Sequence, residues 1–141
     1  MTCIFCKIIE AEIPAKVVYD DDSVVAFMDI KPINAGHVLV IPKEHAESLK
    51  DVSPEHLKNM AAVAKKIAAA LKEALKTRCE GVNLHLADGT AAGQEVGHIH
   101  LHVIPRFAQD GFGLRFPPHY GKIAAEETDS VHKKLRTLLE E

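Results

Sequence analysis

The sequence predicts an α+β fold: a five-stranded, mainly antiparallel sheet with one long helix and a C-terminal helix. Three observations carry this reading. Five short runs rich in β-branched, aromatic or aliphatic residues are bounded by turn residues. One long stretch repeats its apolar residues at helical spacing. The runs do not alternate strictly with helices, which argues against a doubly wound parallel sheet. With 141 residues, 47% of them hydrophobic, the chain suits a single domain over 1–141 with one core.

Taken in order, Cys3 to Glu10 can form a short helix that ends before Pro14. Lys16 to Asp20 and Ser23 to Asp29 flank Asp21-Asp22 and read as a hairpin. Lys31-Pro32-Ile33-Asn34-Ala35-Gly36 is turn chemistry, and His37 to Ile41 is a third strand stopped by Pro42. Ser53-Pro54-Glu55 starts a helix, with a cap, a proline at the first position and an acid at the positive end of the dipole. Leu57, Met60, Ala64, Ile67, Leu71 and Leu75 mark its buried stripe. Val82, Leu84 and Leu86 alternate with Asn83 and His85 in a fourth strand. Ala87 to Gly97 is a glycine-bearing flexible loop, and His98 to Ile104 is a fifth strand ended by Pro105. A last helix is expected near Thr128, burying Val131, Leu135 and Leu138 or Leu139.

Composition removes several classes of function. The net charge is −3 and no basic run is long enough for a nucleic-acid groove. The most apolar stretch, Ala61 to Leu75, is broken by Lys65, Lys66, Lys72 and Glu73, so it does not span a bilayer. The opening residues lack the charged and apolar blocks of a signal peptide. Cys3, Cys6 and Cys79 make an odd count that argues against a disulfide framework. A cytoplasmic protein is expected.

His98-Ile99-His100-Leu101-His102 is the most informative stretch. On a strand, alternate side chains share a face, so the three imidazoles line one side, roughly 6 to 7 Å apart, while Ile99, Leu101 and Val103 line the other. The preceding loop, with Gly89, Gly93, Gln94, Glu95, Val96 and Gly97, offers backbone N–H groups with little steric cover, as a phosphate requires. If the strand opened by His37 lies beside the fifth strand, the two sets of imidazoles converge.

The sequence resembles the histidine triad (HIT) family, in its Hint-like branch with an N-terminal Cys-x-x-Cys. The resemblance rests on Ala92 to Arg106 and on three upstream blocks, Ile4 to Ile9, Ala26 to Ile30 and Gly36 to Pro42, in the family's order. It implies a HIT-like fold in a homodimer, with the fifth strand or the long helix near the interface. It makes His100 the nucleophile of a nucleotide hydrolase or transferase. Such an enzyme cleaves purine nucleoside phosphoramidates, or related nucleoside 5′-phosphate derivatives, at the α-phosphorus through a nucleotidyl-histidine. Dinucleoside polyphosphate hydrolysis, or a nucleotide-binding regulatory module with slow turnover, stays open as an alternative.

The chemistry agrees. A neutral imidazole is nucleophilic near pH 7, and covalent catalysis divides one hard hydrolysis into two steps. His37, His102, Gln94 and loop amides can serve the charge that accumulates on the phosphate. By the resemblance, Phe5, Ile8, Phe27 and Ile30 form the apolar base cleft and Asp29 accepts from the ribose hydroxyls. Cys3-x-x-Cys6 has the spacing of a zinc half-site, and the resemblance completes it with His45 and His98 as a structural site. A catalytic zinc held by His98, His100 and His102 is a rival. Ala87 and Glu95 depart from residues common in the family, Asn and Ser or Thr, and bear on substrate choice.

Overall fold

The structure is a computed structural model that describes residues 2–140. Its elements are α1 (Ile4–Ile9), β1 (Val17–Asp20), β2 (Val24–Met28), β3 (Val38–Pro42), α2 (Pro54–Leu75), β4 (Gly81–Leu86), β5 (Leu101–Arg106) and α3 (Ala125–Leu139). The sheet runs β1-β2-β3-β5-β4, and every neighbouring pair is antiparallel. β3 pairs with β5, so His37 does enter beside the histidine segment.

The alternation in β2 and β3 splits the core between the two faces of the sheet. Val24, Ala26, Val38 and Val40 pack with Ile99, Val103 and the α2 residues Met60, Val63, Ala64, Ile67 and Leu71. Val25, Phe27, Leu39 and Ile41 face the other way, onto Phe5, Cys3, Ile8 and Val96. One face is thus covered by the long helix and the other by the short N-terminal one. α2 begins as its sequence dictates, with the Ser53 hydroxyl accepting from the His56 amide at 3.1 Å.

Several expectations are corrected. The fifth strand runs from Leu101 to Arg106, so His98 to His100 precede it. Those three residues are tied to the segment after β3 instead: the Ile99 amide donates to the Ala46 carbonyl at 2.7 Å. Pro105 does not end β5, and Pro42 is the last residue of β3. Proline lacks the N–H but keeps its carbonyl, and both carbonyls are used: Pro42 accepts from His98, and Pro105 accepts from Asn34. The 87–97 segment, expected as a flexible loop, contains a 3-10 turn at Thr90–Ala92. β5 lies between β3 and β4, so the free edge of the sheet on that side belongs to β4.

The chain divides into two units, one ending at Asp110 and one beginning at Gly111. In the second, α3 begins three residues before the expected Thr128, with Glu126 and Glu127 in its first turn suiting the helix dipole. The burial expected for Val131, Leu135, Leu138 and Leu139 is not found, since all four are exposed. The spacing of these residues reports an amphipathic stripe and does not by itself specify burial.

Candidate active site

The site begins with a glycine. Gly36 has φ +100°, and a Cβ there would meet Leu71 Cδ2 at 3.0 Å and Pro105 Cγ at 3.2 Å. Only glycine fits both the dihedral and the space, and the turn it makes delivers the buried His37 to the head of β3. Behind that turn, Asn34 Nδ2 donates to the Pro105 carbonyl at 2.9 Å and to Asp110 at 2.8 Å. Asp110 also receives Arg106 at 2.8 Å. Neither Asn34 nor Asp110 has a signal in the sequence, because their pairing spans 76 residues.

Hydrogen bonds fix the imidazole tautomers. The Ile33 amide donates to His37 Nδ1 at 3.0 Å, so the His37 proton sits on Nε2. That proton points at His102 Nδ1, 2.9 Å away, with an Asp29 carboxylate oxygen at 3.5 Å. His102, accepting on Nδ1, carries its own proton on Nε2. His100 is set the other way: its Nδ1 lies 2.8 Å from the His98 carbonyl, which can only accept. The neutral ring therefore keeps its lone pair on Nε2. The His100 and His102 rings stand 4.9 Å apart, centroid to centroid.

Burial lowers the pKa of His37, with Asp29 opposing. Burial, and then the neighbouring charges of His100 and His37, bring His102 down to about 4. Both are neutral at pH 7. His85 on β4 pairs directly across from His102, with ring centroids 5.6 Å apart, and is a neighbour of the site that the sequence reading did not single out. Its signal was available: Asn83 and His85 alternate away from Val82, Leu84 and Leu86.

Among the expected cleft residues, Phe5 packs edge-on against Phe27 at 5.5 Å and against His100 at 5.2 Å. Phe5 and Phe27 are buried, and Ile8 and Val96 pack around their cluster. Ile30 stands apart, 89% exposed on the turn after β2. Asp29 accepts from the Lys31 amide at 2.9 Å through its other oxygen. Gly93 adopts a left-handed conformation with φ +93° at the end of the 3-10 turn. Gln94 staples that loop, accepting from the Gly89 amide at 2.7 Å and donating to the Glu47 carbonyl at 2.8 Å. The amides of Ala92, Gly93 and Gln94 are used within the loop. Glu95 is exposed.

A second cluster joins Cys3, Cys6, His45 and His98, whose ligand atoms all lie within 4.8 Å of one another. His98 Nε2 donates to the Pro42 carbonyl at 2.8 Å, which leaves Nδ1 bare. That Nδ1 is 3.2 Å from His45 Nδ1, 3.4 Å from Cys3 Sγ and 3.7 Å from Cys6 Sγ, while Cys6 Sγ is 3.3 Å from His45 Nδ1. A tetrahedral zinc with two nitrogen and two sulfur ligands has edges of about 3.3 to 3.8 Å, given its usual bond lengths. The donor set fits zinc in both chemistry and size. Burial, and then the Cys3 thiol, raise Cys6 to about 11, a thiol that a cation would convert to thiolate.

Asp29, His37 and His102 form another group with metal-ligating atoms. There, however, the Ile33 amide forces the proton onto the inward nitrogen of His37, so this group is built to hold a proton. The three triad imidazoles direct Nδ1 to different partners: the Cys3 thiol, the His98 carbonyl and His37. Among the described residues His98 groups with Cys3, Cys6 and His45, and His102 with Asp29 and His37, so no cluster matches the rival of one zinc shared by His98, His100 and His102.

The family model that matches is the HIT domain, over residues 10–109. An uncharacterized HIT-like protein of Methanocaldococcus jannaschii is 44% identical over 95% of this chain and 98% of its own length. Adenosine 5′-monophosphoramidase of Saccharomyces cerevisiae is 38% identical over 98% of this chain and 83% of its own. A crystal structure of a HIT family protein from Bacillus anthracis superposes with TM-score 0.85 at 38% identity, covering 96% of each chain. A Zn-bound histidine triad family protein from Mycobacterium smegmatis superposes with TM-score 0.75 at 44% identity, covering 84% of each.

Proposed function

Since this chain belongs to the HIT family, we propose that it is a nucleotide hydrolase that cleaves purine nucleoside phosphoramidates at the α-phosphorus through a nucleotidyl group on His100. The observation that carries this reading is the 2.8 Å bond from His100 Nδ1 to the His98 carbonyl. It leaves a bare Nε2 on a ring that Phe5 holds edge-on and orients the nucleophile before substrate arrives.

In the first step Nε2 forms a bond to phosphorus and the bond from phosphorus to the amine breaks. The departing amine takes a proton from solvent, while His102 Nε2–H donates to the phosphate and His37 and His102 each keep their single proton. The phosphorylated His100 becomes cationic, with Nδ1–H still on the His98 carbonyl. In the second step water forms the new P–O bond, the N–P bond breaks, the proton that water loses passes to solvent, and His100 is restored neutral with its lone pair on Nε2. Phe5, Ile8, Phe27 and Ile30 would hold the base and Asp29 the ribose. Gly93 shapes the loop, and phosphate contacts fall to the Glu95 and Val96 amides, since Gln94 is engaged in the staple. The kinship with an adenosine 5′-monophosphoramidase supports an amine as leaving group.

Zinc bound by Cys3, Cys6, His45 and His98 would form a closed structural site, with no open position for Lewis-acid chemistry. A homodimer is supported by the free edge of β4, where Leu84 is 52% exposed. Three free cysteines suit a reducing, cytoplasmic compartment. The test is a panel of adenosine and guanosine phosphoramidates, acyl nucleotides and dinucleoside polyphosphates, run with wild type and His100→Ala. Phosphoramidates should turn over fastest, with all turnover lost in the variant. Preferred cleavage of a dinucleoside polyphosphate would reassign the leaving group, and undiminished rates in His100→Ala would refute the mechanism.

A further inference from the structure

We propose that the Cys3–Cys6–His45–His98 cluster is a clasp that assembles the nucleotide cleft, so that metal bound there sets the affinity for nucleotide as well as the stability of the fold. The cleft half of this inference rests on the nucleotide reading above.

Two routes lead from the cluster to the reacting ring. The first is packing. α1 has only six residues, too few to hold helical structure on its own. Its N-cap is a ligand: Cys3 Sγ accepts from the Cys6 amide at 3.3 Å, and Cys6 is the second thiol. The helix is fastened to the sheet by those sulfurs, by its one buried side chain, Phe5, which lies between them in sequence, and by the partly buried Ile8 and Ile9. Phe5 in turn meets the rings of His98 at 5.8 Å and His100 at 5.2 Å. Holding the thiols therefore holds the wall of the cleft.

The second route is the main chain. Residues 98–100 lie outside the β5 ladder. They are held to residues 42–46 by the His98 ring on the Pro42 carbonyl and the Ile99 amide on the Ala46 carbonyl. A metal shared by His45 and His98 adds a third tie between the same two segments. The carbonyl of His98 is the group that orients His100. One ion thus fixes both the apolar wall and the carbonyl that sets the nucleophile's tautomer. Cys3, Cys6 and His45 are positioning residues in this scheme.

The experiment strips the full-length protein with a chelator and restores it with zinc alone, reading hydrogen exchange and calorimetric affinity for AMP. In the stripped protein, amides of residues 4–9 and 98–100 should exchange at least tenfold faster while those of α2 keep their protection. AMP affinity should fall at least tenfold, and zinc should restore both. His45→Ala, which leaves α1 and His100 unaltered, should behave as the stripped protein does. Unchanged α1 protection and AMP affinity without metal would overturn the proposal. So would an equal loss of protection across α2 and the sheet, which marks a purely global role, or a failure to take up zinc. Zinc-dependent exchange at α1 in a protein that binds no AMP would instead refute the nucleotide reading, because the exchange measurement needs no nucleotide.

Discussion

At the scale of single residues, the site works by assigning protons. Ile33 and the His98 carbonyl each dictate one tautomer, and His37 passes that choice to His102. The consequences are measurable. His100→Ala should lose turnover by at least about 1,000-fold, in the range expected for removing a nucleophile, while AMP affinity stays within a few-fold, since the base and ribose contacts lie elsewhere. A comparable loss of AMP affinity would show that His100 serves binding. His102 also makes stability depend on pH. Its folded pKa of about 4 lies below the ordinary imidazole value of 6.5, so the unfolded chain binds more protons between those values. The stabilisation is complete above about pH 6.5 and is lost as pH falls toward 4, on the order of 3 kcal/mol in all. Urea titrations at pH 7, 6, 5 and 4 should show that acid-linked loss, and His102→Gln should show less of it. Equal slopes in the two proteins would contradict the assignment.

At the scale of elements, Gly36 joins the fold to the site. Gly36→Ala would combine a left-handed φ with contacts to Leu71 and Pro105 and should cost about 2 kcal/mol. A denaturation midpoint equal to that of wild type would show that the turn relaxes freely. The elements were legible in the sequence where local chemistry decides them. Ser53-Pro54-Glu55 started α2, and Asp21-Asp22 between two β-rich runs marked the hairpin of β1 and β2. The start of β5 was not legible, because His98 to His100 read as perfect alternation. What draws them out of the ladder is the remote Ala46 carbonyl and Pro42 carbonyl. The glycine loop was legible as a loop, but the Gln94 staple that shapes it depends on Glu47, 47 residues away. Convergence of His37 on the triad was foreseen on condition that β3 lie beside β5, and it does. The stripe of α3 read as buried because periodicity reports amphipathicity and says nothing of what covers it.

At the scale of the whole molecule, the sheet separates two tasks. One face packs on α2 and supplies stability. The other carries α1, the cysteine clasp and the histidines. The open edge of β4 leads to an expected dimer. Analytical ultracentrifugation at micromolar concentration should give twice the chain mass, and Leu84→Lys should shift the protein toward monomer. A wild-type monomer would contradict the dimer, and a Leu84→Lys protein that stays dimeric would move the contact to another surface. The most direct test of the central claim, that His100 itself bonds to phosphorus, is rapid quenching of the enzyme with an adenosine phosphoramidate at neutral or basic pH, followed by peptide mass analysis. Attack by Nε2 predicts an adenylyl group on the peptide carrying His100, formed and lost at rates that account for turnover. Full turnover with no adenylyl group on that peptide, or with the group on another residue, would contradict it.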